Sequence, residues 1–247
     1  MSDNFSLSLP VNKLVYKPFN ERHRPHFHPI NATLFVTFRL AGSIPASTVR
    51  HYQAKKAWLA DQVRRATNIP TRDRDALKER VEKFEREWTI KFEAILHKAE
   101  SGPMWMKDER VADAVAETLH RLDGDAYRLD CFSVMSNHVH VVFKPLLSEA
   151  DLRQELDEDG HPVFVSERPG LSRIMHLLKG RSARESNLIL SRRGQFWEHE
   201  SFDHVIREGK FSATIKYVLN NPVKAGLVRD WRDWRWNYCR ADIADKF

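Results

Sequence analysis

The run Ala32–Leu40, Ala-Thr-Leu-Phe-Val-Thr-Phe-Arg-Leu, is dense in β-branched and aromatic residues and reads as a strand, interrupted by Ala41-Gly-Ser-Ile-Pro45. From Ala46 to about Ser101 the chain turns highly charged. There Leu77, Val81, Phe84, Trp88, Phe92 and Ile95 recur at three- and four-residue steps and share one helix face. Pro70 divides the stretch, and Thr71 or Asp73 can cap its second half, so two helices in antiparallel contact are expected. Gly102-Pro103 closes this insertion. Asp108 then heads a helix carrying Val111, Val115 and Leu119 inward, with Gly124 as its stop. Two strands follow, about Tyr127–Met135 and His138–Phe143, joined across Ser136-Asn137 by a link short enough for a hairpin. Pro145 stops the second strand, and the acidic residues 146–167 read as a loop. A helical stretch from about Ser172 to Leu190, a strand-like piece near Ser201–Ile206 and a last helix from about Lys210 to Asn221, ended by Pro222, complete the pattern. Residues 1–31 contain Pro10, Pro18, Pro25 and Pro29 and read as irregular.

Without the final helix, this order is the split β-α-β arrangement of a ferredoxin-like antiparallel sheet. The expected class is therefore α+β, with helices on one face, an added C-terminal helix and an inserted helical hairpin. The chain 1–247 reads as a single domain, with the charged helical insertion at about 46–101 and an aromatic-basic tail at about 229–247. Many functions use such a sheet, so function has to come from the site.

Composition narrows the field. Of 247 residues, 42% are hydrophobic and 30% charged, enough apolar material for a core. The net charge of +6 favours a polyanionic partner, of which nucleic acid is the commonest. Cys131 and Cys239 support neither a disulfide framework nor a zinc-cysteine site, and a reducing cytoplasm fits. No apolar run approaches the roughly 20 residues that span a membrane, so no membrane association is expected. The start, Met1-Ser-Asp-Asn4, lacks a signal-peptide core.

Two constellations carry chemistry. His138 and His140 are two residues apart on a strand, so both imidazoles leave the same face while Val139 and Val141 enter the other. Such a pair can bind a divalent metal if a third polar ligand joins it, or can be two ordinary histidines of a half-exposed sheet. A denser group, His23, His26 and His28, lies in a proline-rich lead-in rather than on a rigid element. Tyr217 and Asn221 are four residues apart and neighbours on a helix face. A tyrosine can attack a phosphodiester, although a phenol with a pKa near ~10 needs help. An Asn carbonyl suits an oxygen-preferring ion such as Mg²⁺ or Mn²⁺. A half-buried helix aromatic and a helix C-cap explain the same two residues without chemistry.

The run Val134-Met-Ser-Asn-His-Val-His-Val-Val-Phe143 resembles the strand of the HUH single-tyrosine transposases. Phe196-Trp-Glu-His-Glu-Ser-Phe-Asp-His-Val-Ile-Arg207, followed by Tyr217-Val-Leu-Asn-Asn-Pro-Val-Lys-Ala-Gly-Leu-Val228, resembles their REP-associated branch. Ala32–Pro45 resembles that branch's first strand and Leu178-Lys-Gly-Arg-Ser-Ala-Arg184 its basic helix. The resemblance implies His138 and His140 as the metal-binding pair, Tyr217 as nucleophile and Asn221 as the residue completing the metal site. It also implies cutting of single-stranded DNA at or near hairpins through a 5′-phosphotyrosine. Ser136 departs from the family, which commonly has proline there, the 46–101 insertion is longer than in the smallest members, and the tail lies outside the motifs.

Between Leu171 and Arg193, Arg173, Lys179, Arg181, Arg184, Arg192 and Arg193 face one acid, Glu185, an imbalance that suits a phosphate backbone. In the tail, Trp231, Trp234 and Trp236 alternate with arginines and either stack unpaired bases or pack back on the domain. Tyr238 is a rival nucleophile outside any motif. The expectation is a metal-dependent DNA nickase and strand transferase acting on hairpin-bearing single-stranded DNA. A hairpin DNA or RNA-binding module without chemistry and a metal-dependent phosphoesterase that uses water are the alternatives. Monomer and homodimer, with the tyrosine acting in cis or in trans, are both open.

Overall fold

The computed structural model describes residues 32–65, 71–146, 152–156, 162–166 and 170–246. The β-branched run becomes β1 (Leu34–Arg39), buried along its whole length. β2 (Tyr127–Val134) and β3 (His138–Pro145) form the expected hairpin, and β6 (Phe202–Val205) pairs with the free side of β1. With β7 (Asn237–Cys239) on β2, the strand order is β6-β1-β3-β2-β7, all neighbours antiparallel. The first four strands have the order of the ferredoxin-like sheet, so the α+β class stands.

Alternation then assigns the faces. Val36 and Phe38 of β1 and Val139, Val141 and Phe143 of β3 point to one side. There α3 (Glu109–Arg121) and α4 (Gly170–Ile189) cover them with Val111, Val115, Leu119, Ile174 and Leu178. Asp108 caps α3 as its position predicts, its side chain accepting from Arg110 N–H at 3.0 Å. Phe35 of β1 and Val142 of β3 face the other way and meet Ile215, Val218 and Leu219 of α5 (Phe211–Leu219). A register shift at Asp130 lets β2 serve both layers, Leu129 and Phe132 going to the first and Cys131 to the second.

α1 (Ala46–Arg65) and α2 (Thr71–Lys98) fill the charged stretch. Tyr52 stacks on Phe84 and touches Trp88 and Phe92, while Trp58 lies near Arg80, so the two helices run antiparallel. The chain leaves and re-enters the sheet layer at one point. Gly102 has φ +78°, and a Cβ there would come within 2.3 Å of the Gly42 carbonyl oxygen.

Two expectations are corrected. Residues 146–167 are not all loop, because β4 (Leu152–Leu156) and β5 (Pro162–Ser166) pair from Leu152↔Ser166 to Leu156↔Pro162. The Asp159-Gly160 pair between two short runs is a hairpin signal that the acidic composition hides. Pro222 does not end the tyrosine helix. α5 stops at Leu219, and Pro222 sits in the first turn of α6 (Asn221–Lys224), where a missing N–H is tolerated. The tail packs on the domain: β7 extends the sheet, Trp234 Nε1 donates to Val134 O at 3.0 Å, and Trp236 Nε1 donates to Asp113 at 2.9 Å. The short α7 (Ala241–Ala244) follows and buries Ile243 against the α5 layer. Among the described residues no helix is long and apolar enough to cross a membrane.

Gly102→Ala places a Cβ against backbone at a left-handed φ. It is expected to lower the unfolding free energy by about 2–3 kcal/mol in urea melts, and an unchanged midpoint would contradict this packing.

Candidate active site

His138 and His140 leave β3 on the α5 side of the sheet, and cover on both faces leaves them 1% and 0% exposed. Their rings meet edge to face at 4.6 Å, with the two Nε2 atoms 3.0 Å apart. Each Nδ1 has its own partner: Asn137 Oδ1 at 2.7 Å for His138, and Thr37 Oγ1 at 2.8 Å for His140. Strand register supplies the second contact, because Thr37 is the residue of β1 directly opposite His140. Asn137 Nδ2 donates to Leu96 O at 3.2 Å, so its Oδ1 is the atom that faces His138. An amide oxygen only accepts, so His138 Nδ1 carries the proton and its Nε2 presents a lone pair.

α5 lies across this pair. The Tyr217 ring stands edge-on to His140 at 5.7 Å and to Phe35 at 6.0 Å, while Phe35 itself stacks on His140 at 5.6 Å. Asn221 is oriented by the proline after it. Pro222 has no N–H to offer Val218 O, and Asn221 Nδ2 donates there at 3.1 Å and to Tyr217 O at 2.9 Å. Its Oδ1 is thereby turned into the site, where it is hydrogen-bonded to His97 Nε2. Asn237 of the tail donates to Leu219 O at 2.9 Å and braces the end of α5.

His97 and Glu93 were missed from sequence. Both sit on the last turns of α2, each one residue after a buried position, Phe92 and Leu96. The His97 ring lies 5.6 Å from His138 and 6.0 Å from His140, and one ring nitrogen from each of the three histidines fits within 4.8 Å of the others. A Glu and a His four residues apart on the flank of an apolar stripe were the available signal, masked by the charge around them.

Electrostatics keep the cluster neutral. Burial, with His97 nearby, pushes His138 down to about 3. Burial also holds His140 well below its ordinary value, and His97 is lowered chiefly by burial against the raising effect of Asn221. Neutral imidazole is the form that binds metal. The donor set fits a divalent ion: the Nε2 separation of 3.0 Å is what two bonds of about 2.1 Å leave at roughly a right angle, and Asn137 and Thr37 are the polar partners that orient such ligands. The Tyr217 hydroxyl is buried without a hydrogen bond of regular geometry, and its polar neighbour is the Glu93 carboxyl. Burial first, then that carboxylate, raises the phenol above its ordinary value. Burial likewise raises Glu93, opposed by Tyr217 and by Lys224, whose Nζ stands 4.3 Å from the centre of the Tyr217 ring.

The structure thus brings His138, His140, Tyr217 and Asn221 together. The basic residues expected to meet DNA lie elsewhere, on α4 and just beyond it, and α4 covers the opposite face of the sheet. Arg173, Arg181, Arg184 and Arg193 are exposed. Lys179 is not turned outward: its Nζ donates to the carbonyls of Glu198, His199 and Glu200 at 2.9, 3.0 and 3.4 Å. Arg192 bonds Asn187 Oδ1 and Gln195 O and stacks on Trp105 at 3.8 Å. Tyr238 pairs with Phe132 on the α3 side, away from the histidines. His23, His26 and His28 lie outside the described residues.

No protein-family model matches the chain, and no curated protein does. Among solved structures, that of a REP-associated tyrosine transposase bound to a REP hairpin is similar to it. The TM-score is 0.44 at 14% identity, over 92% of this chain and 87% of the other. A likeness at that score carries no weight for the site, whose chemistry rests on the residues above.

The histidine burial has a pH consequence. His138 ordinarily titrates near 6.5 and is held at about 3 in the fold, so the unfolded chain binds the extra proton between those values. Stability is complete above about 6.5 and falls as pH drops toward 3, by up to about 1.4 kcal/mol per pH unit for this residue. Metal-free protein is expected to show that slope in urea melts and His138→Gln to flatten it; equal slopes would contradict the burial.

Proposed function

We propose that this chain is a metal-dependent single-strand DNA nickase and strand transferase, a transposase chemistry that runs through a phosphotyrosine on Tyr217. The supporting observation is the meeting of the Tyr217–Asn221 pair with the His138–His140 pair in one buried site. His97, His138 and His140 would hold a divalent ion, with the Asn221 carbonyl as oxygen ligand. Three imidazoles disfavour Mg²⁺, which prefers an all-oxygen shell, and leave Mn²⁺ the better candidate of the two. When bound, the ion neutralises charge on the scissile phosphate.

The chain's own residues do the rest. Thr37 and Asn137 fix the imidazole planes. Tyr217 Oη attacks phosphorus, the 3′-hydroxyl side leaves, and the 5′-phosphate stays on the enzyme with its bond energy stored for rejoining. A 3′-hydroxyl of a second strand then displaces the tyrosine. The Tyr217 hydroxyl is buried in this structure, so a DNA strand reaches it only after its cover moves. Exposed Arg173, Arg181, Arg184 and Arg193 are suited to the backbone of a hairpin stem that passes around the sheet edge.

Labelled single-stranded hairpin DNA with Mn²⁺, resolved on a denaturing gel, tests this. A covalent adduct lost in Tyr217→Phe and on chelation is expected. Cleavage with no adduct would favour the water-using phosphoesterase, and binding without cleavage a non-catalytic hairpin-binding module.

A further inference from the structure

Cys131 and Cys239 are far apart in the sequence, but the pairing of β7 with β2 sets them directly opposite each other. The hydrogen bonds of this ladder fix what kind of pair they make. Arg240 N donates to Asp130 O at 3.0 Å beside them, and Val134 N donates to Trp236 O at 3.0 Å further along. Bonded and open pairs alternate in an antiparallel ladder, so Asp130–Arg240 and Val134–Trp236 are bonded pairs and Cys131–Cys239 is an open one. Open pairs hold their Cα atoms about 4.5 Å apart, inside the roughly 4.4–6.8 Å that a disulfide spans. Opposed residues also point to one face, and both cysteines pack with Ile215, Val218 and Ile243 on the α5 side. Both are free thiols, Cys131 buried and Cys239 partly exposed on the edge strand β7.

We propose that Cys131 and Cys239 are a redox site, a dithiol that a small-molecule disulfide converts reversibly into a bond between β2 and β7. The thiolate of Cys239, the more exposed of the two, attacks one sulfur of the incoming disulfide, and the other sulfur leaves as a thiolate. Cys131 then attacks the Cys239 sulfur of this mixed disulfide and expels the second small thiolate. One S–S bond forms in the protein and one breaks in the oxidant. The two cysteine protons end on the two small thiols, and the protein gives up two electrons. Excess small thiol reverses both steps. Burial pushes the Cys239 thiol up to about 11 and raises Cys131 as well, so exchange is slow at neutral pH and faster in mild base. The bond fixes the strand whose Asn237 donates to Leu219 O and to Trp231 O, both at 2.9 Å. Oxidation therefore clamps the end of α5, the helix that carries Tyr217, without using the histidine centre.

The full chain is equilibrated with mixtures of glutathione and glutathione disulfide at about pH 8.5, folded and in urea, with a chelator present. Free thiols are then alkylated and the peptides mapped without reduction. A peptide linking Cys131 to Cys239 is expected, lost on adding dithiothreitol. Its equilibrium constant of formation should be about 30-fold or more higher in the folded chain than in urea, the lower end of what closing a long loop gives. By linkage, oxidation should raise the urea midpoint of the wild type, a shift absent from Cys239→Ser. Cysteines that stay thiols, or carry separate glutathione adducts, in every mixture overturn the proposal. So does a linked peptide that forms no more readily in the folded chain than in urea.

Discussion

A strand covered on both faces has no wet side for its polar residues, and β3 carries two of them in alternation. His138 and His140 lose their water without an opposite charge, and an unpaired buried polar group costs about 1–3 kcal/mol. The surroundings answer atom by atom. Thr37 arrives through the β1 register, and Asn137 reaches back from the hairpin turn. The two Nε2 atoms then have each other, at 3.0 Å. One proton can bridge them, or a cation can replace it, with Thr37 able to switch from donor to acceptor as His140 changes tautomer.

The elements around the pair are positioned by bonds that each have a local cause. Pro222 leaves Val218 O without its usual partner, which draws in the Asn221 amide and turns its oxygen toward His97. The Asn137 bond to Leu96 O ties the end of α2 to the turn that carries His138. Gly102 lets the chain return from α2 to the point where it left β1. The tail reinforces the arrangement from the far edge. Asn237 holds the end of α5, and Arg240 Nη1 stands 2.8 Å from the buried Asp130. The aromatic residues there are structural, since Trp234 and Trp236 use their indole N–H groups on the domain itself.

Much of this was legible in the chain, for identifiable reasons. The strands and the main helices follow from periodicity, and the common face of His138 and His140 follows from alternation alone. Tyr217 and Asn221 follow from helical spacing, though the break at Asn220 and the restart at Asn221 required hydrogen-bond accounting that spacing lacks. His97 and Glu93 were hidden because α2 is charged along most of its length, and which charged residues meet the site depends on how the α1–α2 hairpin docks. Lys179 was misread for a related reason. Its charge counts toward a basic helix, but its position under the Glu198–Glu200 carbonyls is set by tertiary packing.

Central to this account is that α2 completes the centre built on β3, making it a three-imidazole site rather than a two-imidazole one. X-ray absorption on the Mn²⁺-loaded protein counts imidazole ligands directly, without DNA or turnover. The account predicts three in the wild type and two in His97→Ala. Two imidazoles in both proteins, or a spectrum with oxygen ligands alone, would contradict it.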